Sequence, residues 1–157
     1  MTSKSHLILT ITPLVYFLEK TNNLYDANIS IPALIGALVG SLLPDIDEPN
    51  SYMGRQFIFI SEPLKLLGIK HRTWSHSIFF IIPFIVLGLI INPIFYFIGY
   101  GIFMHILEDM ITNSGVPLFY PLIKKRIGIR IMNTNSFIEH ILSFGCLLEL
   151  IYIINPN

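Results

Sequence analysis

Residues 78–107 read IFFIIPFIVLGLIINPIFYFIGYGIFMHIL, an almost unbroken apolar run of 30 residues. As one α-helix this run would be about 45 Å long, whereas the hydrocarbon core of a bilayer is about 30 Å thick. The Asn92-Pro93 step in its middle favours a break, because proline lacks a backbone donor and restricts the residue before it. The run therefore predicts two short helices joined by a hairpin, and a single tilted or kinked span is the alternative.

Three further apolar runs lie outside this stretch, at residues 7–18, 29–43 and 141–154. Hydrophobic residues make up 53% of the chain and charged residues only 13%, with a mean hydropathy of +0.66. Soluble domains typically carry about 25% charged residues, and a domain of this size could not bury so much apolar surface in water. These features predict an all-α integral membrane helical bundle of about five short helices, forming a single domain over residues 1–157.

The cationic side chains distinguish the two arrangements of residues 78–107. With a hairpin, nine of the ten Lys and Arg residues fall on one face of the membrane and only Lys20 falls on the other. A single span would divide them five to five. The positive-inside rule therefore favours the hairpin and places the nine-residue face in the cytoplasm. These nine residues are Lys4, Arg55, Lys65, Lys70, Arg72, Lys124, Lys125, Arg126 and Arg130.

The zero formal net charge gives no overall field that would attract nucleic acid, and none is expected as a partner. Residues 122–131 nevertheless interleave basic and aliphatic side chains. That pattern is typical of a segment lying on anionic lipid, and contact with a substrate headgroup is the alternative.

Histidines and carboxylates recur in three segments that the hairpin brings to the cytoplasmic face. His105 and Asp109 are spaced i,i+4, which places them on the same face of a helix. Asp45, Asp47 and Glu48 crowd a turn between two prolines, where a cation would relieve their repulsion. Alternatively, His105 and Asp109 form only a hydrogen bond at the end of a helix, and the three acids near residue 45 form a solvated loop.

Residues 71–77, HRTWSHS, combine two imidazoles and a guanidinium just before an apolar helix. They could cap that helix, or they could bind an anion with Arg72 and metal with His71 and His76. Imidazole with carboxylate suits Zn²⁺, with Mn²⁺ or Fe²⁺ also possible. His6 and Glu139, at the starts of the first and last helices, could complete the ligand set.

Three motifs in order along the chain, P-D-x-D, H-R-x-x-S-H-S and H-x-x-x-D, resemble the YdjM-like family. The matching residues are 40–47, 71–77, 105–109, Thr112, Gly115 and Pro121. The family is described as LexA-regulated, membrane-bound, predicted metal-dependent hydrolases. It is distantly similar to the zinc-dependent phospholipase C and P1-type nuclease group, whose members bind several metal ions and cleave phosphoesters. Family members often carry glycine where this chain has Thr73.

The resemblance implies a ligand set of Asp45, Asp47, His71, His76, His105 and Asp109, with His6 and Glu139 matching less closely. We expect a membrane-bound hydrolase that binds more than one divalent ion and cleaves an amphiphilic phosphoester among membrane lipids. In this hypothesis Asp45, Asp47 or Glu48 acts as general base, and Arg72 neutralises charge on the substrate. A non-catalytic metal-binding membrane protein, with a structural, sensory or transport role, is the alternative. The sequence leaves the oligomeric state open.

Overall fold

A computed structural model describes residues 1–68 and 71–155; Lys70, one of the nine cations predicted to share a face of the membrane, lies outside them. In the described ranges the chain forms α-helices and short 3₁₀ helices, with two isolated β-bridges and no strand. The predicted all-α class is therefore confirmed. The helices are α1 (Ser3–Lys20), α2 (Ala27–Leu42), α3 (Tyr52–Gln56), α4 (Ile58–Leu66), α5 (Ile82–Ile90), α6 (Ile94–Ile111) and α7 (Phe137–Ile154).

The long apolar run is divided at the Asn92-Pro93 step. Helix α5 ends at Ile90 and α6 begins at Ile94, where the Asn92 side chain accepts a hydrogen bond from the Ile94 N–H at 2.9 Å. Because this cap satisfies a free donor at the start of α6, the break is built into the sequence. The two helices pack against each other as a hairpin, as predicted.

Three stretches in the described part of the chain are long and apolar enough to cross a membrane: Ala27–Asp47, Ile94–Ile111 and Phe137–Ile154. The segment Ile78–Ile90 is apolar but shorter. Large apolar side chains are exposed along these segments, including Ile85, Leu89 and Leu148. Such a surface is unfavourable in water and suits the interior of a lipid bilayer.

Helices α2 and α6 form the closest contact in the bundle, and glycines make it possible. A Cβ atom added at Gly40 would lie 2.1 Å from the Ile98 carbonyl oxygen, and one added at Gly101 would lie 2.3 Å from the Ala37 carbonyl oxygen. Gly36 and Gly40 form the G-x-x-x-G spacing that lets membrane helices approach backbone to backbone. This contact fixes the C-terminal half of α2 against the N-terminal half of α6.

The remaining elements bring three more segments to this end of the bundle. Helix α1 packs against α2 and α7, with Leu14 and Leu18 buried beside Ala33 and Ala37. After α2, a 3₁₀ helix at Leu43–Asp47 continues the chain toward α3 and α4. The loop after α6 folds back on itself through the bridge between Val116 and Ile127. The polar segments therefore meet at the end of the bundle where α1 starts and α2 and α6 finish.

Candidate metal centre

Six side chains from four segments converge at this end of the bundle. The first turn of α1, the 3₁₀ helix after α2, the loop before α5 and the last turns of α6 all contribute. The six residues are His6, Asp45, His71, His76, His105 and Asp109. They form two groups in which the potential ligand atoms all lie within 4.8 Å of one another.

The first group consists of His6, His105 and Asp109, all of them buried. The His6 Nε2 atom lies 3.6 Å from Asp109 Oδ1, and the His105 Nε2 atom lies 3.8 Å from Asp109 Oδ2. The His6 and His105 rings are stacked, with their centroids 3.8 Å apart. The i,i+4 spacing that predicted a shared helix face thus brings His105 and Asp109 together.

The second group consists of Asp45, His71 and His76 and is more accessible. The side chains of Asp45 and His71 are 14% and 31% exposed, whereas that of His76 is fully buried. Asp45 Oδ1 lies 3.9 Å from His71 Nε2 and 3.6 Å from His76 Nε2. This group therefore forms the solvent-facing side of the centre.

Further short separations join the two groups into one centre. His76 Nε2 lies 3.4 Å from Asp109 Oδ2 and 3.2 Å from His105 Nε2. His105 Nε2 lies 3.6 Å from Asp45 Oδ1. Ligands about 2.0–2.2 Å from a tetrahedral zinc ion lie roughly 3.4 Å from each other. The nitrogen–oxygen separations are close to that value and mostly too long for hydrogen bonds.

Every histidine of the centre is oriented through its other ring nitrogen. The Nδ1 atom of His6 contacts Glu108 Oε2 at 2.5 Å, and that of His105 contacts the Ser41 carbonyl oxygen at 2.6 Å. The Nδ1 atom of His71 contacts Asp47 Oδ1 at 2.7 Å. Because a carbonyl oxygen can only accept, His105 Nδ1 donates to Ser41, and its neutral ring presents the free electron pair of Nε2 to the centre. Donation from His6 and His71 to their carboxyl partners would orient those two rings in the same way.

His76 is oriented in the same way through a hydroxyl relay. Ser75 Oγ donates to Asp47 Oδ2 at 2.6 Å and lies 2.8 Å from His76 Nδ1, from which it can accept. Burial opposes protonation of His76, but the carboxylates of Asp109 and Asp45 outweigh it and raise the pKa of this ring. The two carboxylates therefore favour a cation bound at His76 Nε2, whether a proton or a metal ion.

Two buried atoms of the first group indicate that this set of residues fits a metal ion. Among the described residues, His6 Nε2 and Asp109 Oδ2 have no hydrogen-bond partner. Leaving a buried polar atom without a partner is costly. A bound cation would satisfy His6 Nε2, and it would add a ligand contact at Asp109 Oδ2, whose present cationic neighbour is the Arg72 guanidinium. The same six residues offer the imidazole and carboxylate donors that Zn²⁺, Mn²⁺ and Fe²⁺ accept.

Arg72 lies beside the centre and pairs with Asp109. Its Nη2 atom lies 2.8 Å from Asp109 Oδ2, as an ion pair outside hydrogen-bond geometry, and its Nη1 atom donates to Thr112 Oγ1 at 3.4 Å. The backbone at Arg72 has a φ of +60°, which reverses the chain between His71 and Thr73. The Met1 amino group also contacts Asp109, through Oδ1.

Besides Arg72, three residues predicted for the site lie outside both groups. Both Asp47 oxygens are engaged by His71 and Ser75, so Asp47 orients ligands. Glu139 accepts from Thr2, Ser5 and Asn135, and thereby links the start of α7 to that of α1. The Glu48 carboxylate accepts from the backbone and side chain of Asn50.

The sequence interpretation missed three groups that orient the histidines: the Glu108 carboxylate, the Ser41 carbonyl and the Ser75 hydroxyl. A signal for Glu108 exists, because an acid near the end of an apolar helix needs a partner. The role of the Ser41 carbonyl depends on the close approach of α2 to α6, and no side-chain motif reports it.

The model of the family described as YdjM inner membrane protein matches residues 1–155. Relatives described as "Inner membrane protein YdjM" occur in Escherichia coli (strain K12) and Shigella flexneri. Each is 34% identical over 93 residues, an alignment that covers 54% of this chain and 47% of the relative. The match thus spans only about half the length of these two relatives.

A relative from Bacillus subtilis (strain 168), described as "Uncharacterized protein YvsG", is 31% identical over 159 residues. That alignment covers 97% of this chain and 93% of the relative. None of the solved structures matches significantly. Because the family model spans almost the whole sequence, the chain is a membrane protein that belongs to the YdjM inner membrane protein family.

Proposed function

We propose that this protein is a membrane-bound metal-dependent hydrolase that cleaves a phosphoester of an amphiphilic substrate at the cytoplasmic membrane surface. The convergence of four Nε2 atoms on two carboxylates supports this proposal above all. Each imidazole is aligned by a separate partner, which is the construction expected of metal ligands. The resemblance to metal-dependent phosphoesterases supplies the reaction class.

The proposed cofactor is a pair of divalent ions, Zn²⁺ in the first instance. One ion would be held by His6, His105 and Asp109, and the other by Asp45, His71 and His76. Bound divalent ions in such centres polarise a phosphoryl oxygen and lower the pKa of water. The two groups share short contacts through His76 and His105, so one continuous cluster of residues would hold both ions.

The other roles in the proposed reaction are assigned to side chains of the protein. Asp45 is the acid of the predicted P-D-x-D motif that reaches the centre and is also partly exposed. It is therefore better placed than Asp47 or Glu48 to accept a proton. The Arg72 guanidinium, 11% exposed beside Asp109, is placed to neutralise negative charge on a bound phosphoryl group.

A non-catalytic metal protein is the second candidate, and the burial of the first group favours it. The side chains of His6, His105 and Asp109 are at most 1% exposed, as in closed structural sites. The exposure of Asp45 and His71 favours catalysis instead, because substrate can approach that side. The two candidate functions are compatible if one ion is structural and the other is catalytic.

The reaction is tested by a screen of phosphomonoesters, phosphodiesters and phospholipids with the purified protein, before and after removal of metal by a chelator. We expect hydrolysis by the metal-loaded protein, its loss on chelation, and its return when Zn²⁺ or Mn²⁺ is restored. Metal content is measured on the same samples by elemental analysis. A stoichiometric metal content with no hydrolysis of any substrate class would favour the non-catalytic candidate.

The orientation toward the cytoplasm is tested by cysteine labelling in a Cys146→Ser background. Ala27 and Thr134 are both exposed and lie on opposite faces of the proposed topology. In intact cells, a membrane-impermeant maleimide should label the Ala27→Cys variant. The Thr134→Cys variant should react only after the membrane is opened. The reverse pattern would place the centre on the outer face and contradict this part of the proposal.

A further inference from the structure

A cavity of about 540 Å³ lies against the solvent side of Arg72. It is lined in part by Arg72, Thr73, Trp74, Tyr120, Lys124 and Arg126. The Trp74 and Tyr120 rings meet edge to face, with centroids 5.3 Å apart. The cavity therefore combines aromatic side chains with three cationic ones from two separate loops.

Two of the three cations that line this cavity have no carboxylate partner among the described residues. None of the described residues that line it is acidic. Lys124 and Arg126 are exposed and form no ion pair with a described carboxylate; the Arg126 guanidinium only donates to the Ser114 carbonyl at 3.4 Å. Arg72 is paired with Asp109, whereas Lys124 and Arg126 leave uncompensated positive charge around this concave space, and an anion lying there would relieve their repulsion. A phosphate group, with several acceptor oxygens, suits such a set of donors.

Arg72 connects the cavity to the candidate metal centre. Its side chain contacts Asp109, a member of the first group, and also lines the cavity. A phosphate held beside Arg72 would consequently lie next to the centre. Trp74, 54% exposed, lines the same space, and tryptophan is common where protein meets the lipid headgroup layer.

We propose that this cavity, hereafter the cationic pocket, binds the phosphate group of the substrate, and that Lys124 and Arg126 recognise it. The inference rests on the proposed function for its link to hydrolysis, but binding itself requires no metal. The ligand class is a phosphate ester with more than one negative charge. Both a phospholipid headgroup and a water-soluble phosphate ester have this chemistry.

The neighbouring cations provide a matched control. Lys125 and Arg130 belong to the same exposed segment and do not line the cationic pocket; they line a second cavity, which Arg126 also borders. The Lys124→Gln/Arg126→Gln variant and the Lys125→Gln/Arg130→Gln variant therefore lose equal charge from one loop. Only the first variant loses charge from the cationic pocket.

Binding is measured by calorimetry on the detergent-solubilised full chain, with metal removed so that no probe is consumed. The probes are short-chain phosphatidic acid and glycerol phosphate, with short-chain phosphatidylcholine as the zwitterionic comparison. We expect the pocket variant to bind the phosphate monoester at least roughly tenfold more weakly, because each lost charged hydrogen bond typically accounts for a factor of this size. The control variant should bind within about twofold of wild type, since it leaves every pocket contact in place.

The two probes identify the source of the phosphate. Pocket-dependent binding of phosphatidic acid alone indicates a lipid headgroup, and comparable binding of glycerol phosphate indicates a soluble ester; either outcome supports the pocket. Equal losses in the two variants, or no binding of either probe to wild type, would overturn it. Metal content, measured on the same preparations before the metal is removed, separates the two proposals. A protein that is purified with metal but binds no phosphate after its removal refutes only the pocket.

Discussion

Replacing His105 by alanine is expected to reduce bound metal from roughly stoichiometric to near zero and to abolish hydrolysis. The His105 Nε2 atom lies within 3.8 Å of Asp45, His76 and Asp109, which are members of both groups. Removing the imidazole therefore weakens two ion sites at once and leaves their carboxylates facing each other. Elemental analysis of the purified variant measures the loss directly.

Three further variants separate metal binding from folding. His105→Asn keeps an amide that can donate to the Ser41 carbonyl, and it should lose metal while the protein remains folded. His140→Ala, at an exposed histidine outside both groups, should retain full metal content. Asp47→Asn should weaken metal affinity by roughly 10–100-fold, as expected for a residue that orients ligands. Full metal content and activity in His105→Ala would refute the proposed centre.

Much of the fold could be predicted because membrane helices are recognisable from their apolar composition and from the residues that interrupt them. The apolar runs marked the main helices, and the Asn92-Pro93 step marked the turn between α5 and α6. The short helices α3 and α4 were not predicted as separate elements, because residues 52–66 mix polar and apolar side chains without a continuous run. Helices of 5 and 9 residues depend on contacts with the rest of the bundle rather than on their own propensity.

The sequence predicted which residues form the candidate site better than it predicted the role of each residue. Spacing placed His105 with Asp109, and topology brought these residues to the same end as the loop histidines. Spacing could not distinguish Asp45 from Asp47, which lie two residues apart in a 3₁₀ helix and point to different partners. That choice depends on how the 3₁₀ helix is rotated against α6, which only tertiary packing determines.

The close approach of α2 and α6 is the feature on which the site geometry depends, because Asp45 follows one helix and His105 lies on the other. The two helices can approach this closely because glycine occupies positions where a methyl group would clash with the backbone of the opposite helix. A backbone atom, unlike the end of a flexible side chain, cannot move aside without shifting its whole helix. The spacing of the helices and the spacing of the ligands are therefore coupled.

The Gly40→Ala substitution is consequently expected to destabilise the bundle by on the order of 1–3 kcal/mol or more, the usual cost of overpacking. Its Cβ would lie 2.1 Å from the Ile98 carbonyl oxygen and 3.0 Å from the Gly101 Cα. Moving α2 away from α6 to relieve this clash also moves Asp45 away from His105. The variant should therefore melt at a lower temperature in detergent and bind metal more weakly, although no ligand has been changed.

Gly145→Ala provides the matched control within the same protein. No neighbouring atom lies within 4 Å of a Cβ built at this position on α7, so the methyl group has open space. Alanine also favours helix over glycine by about 1 kcal/mol, and the control should be as stable as wild type or slightly more so. If Gly40→Ala retains wild-type stability and metal affinity, the α2–α6 contact does not determine the geometry of the centre. If both properties fall together while Gly145→Ala leaves them unchanged, the helix contact and the ligand cluster form one structural unit.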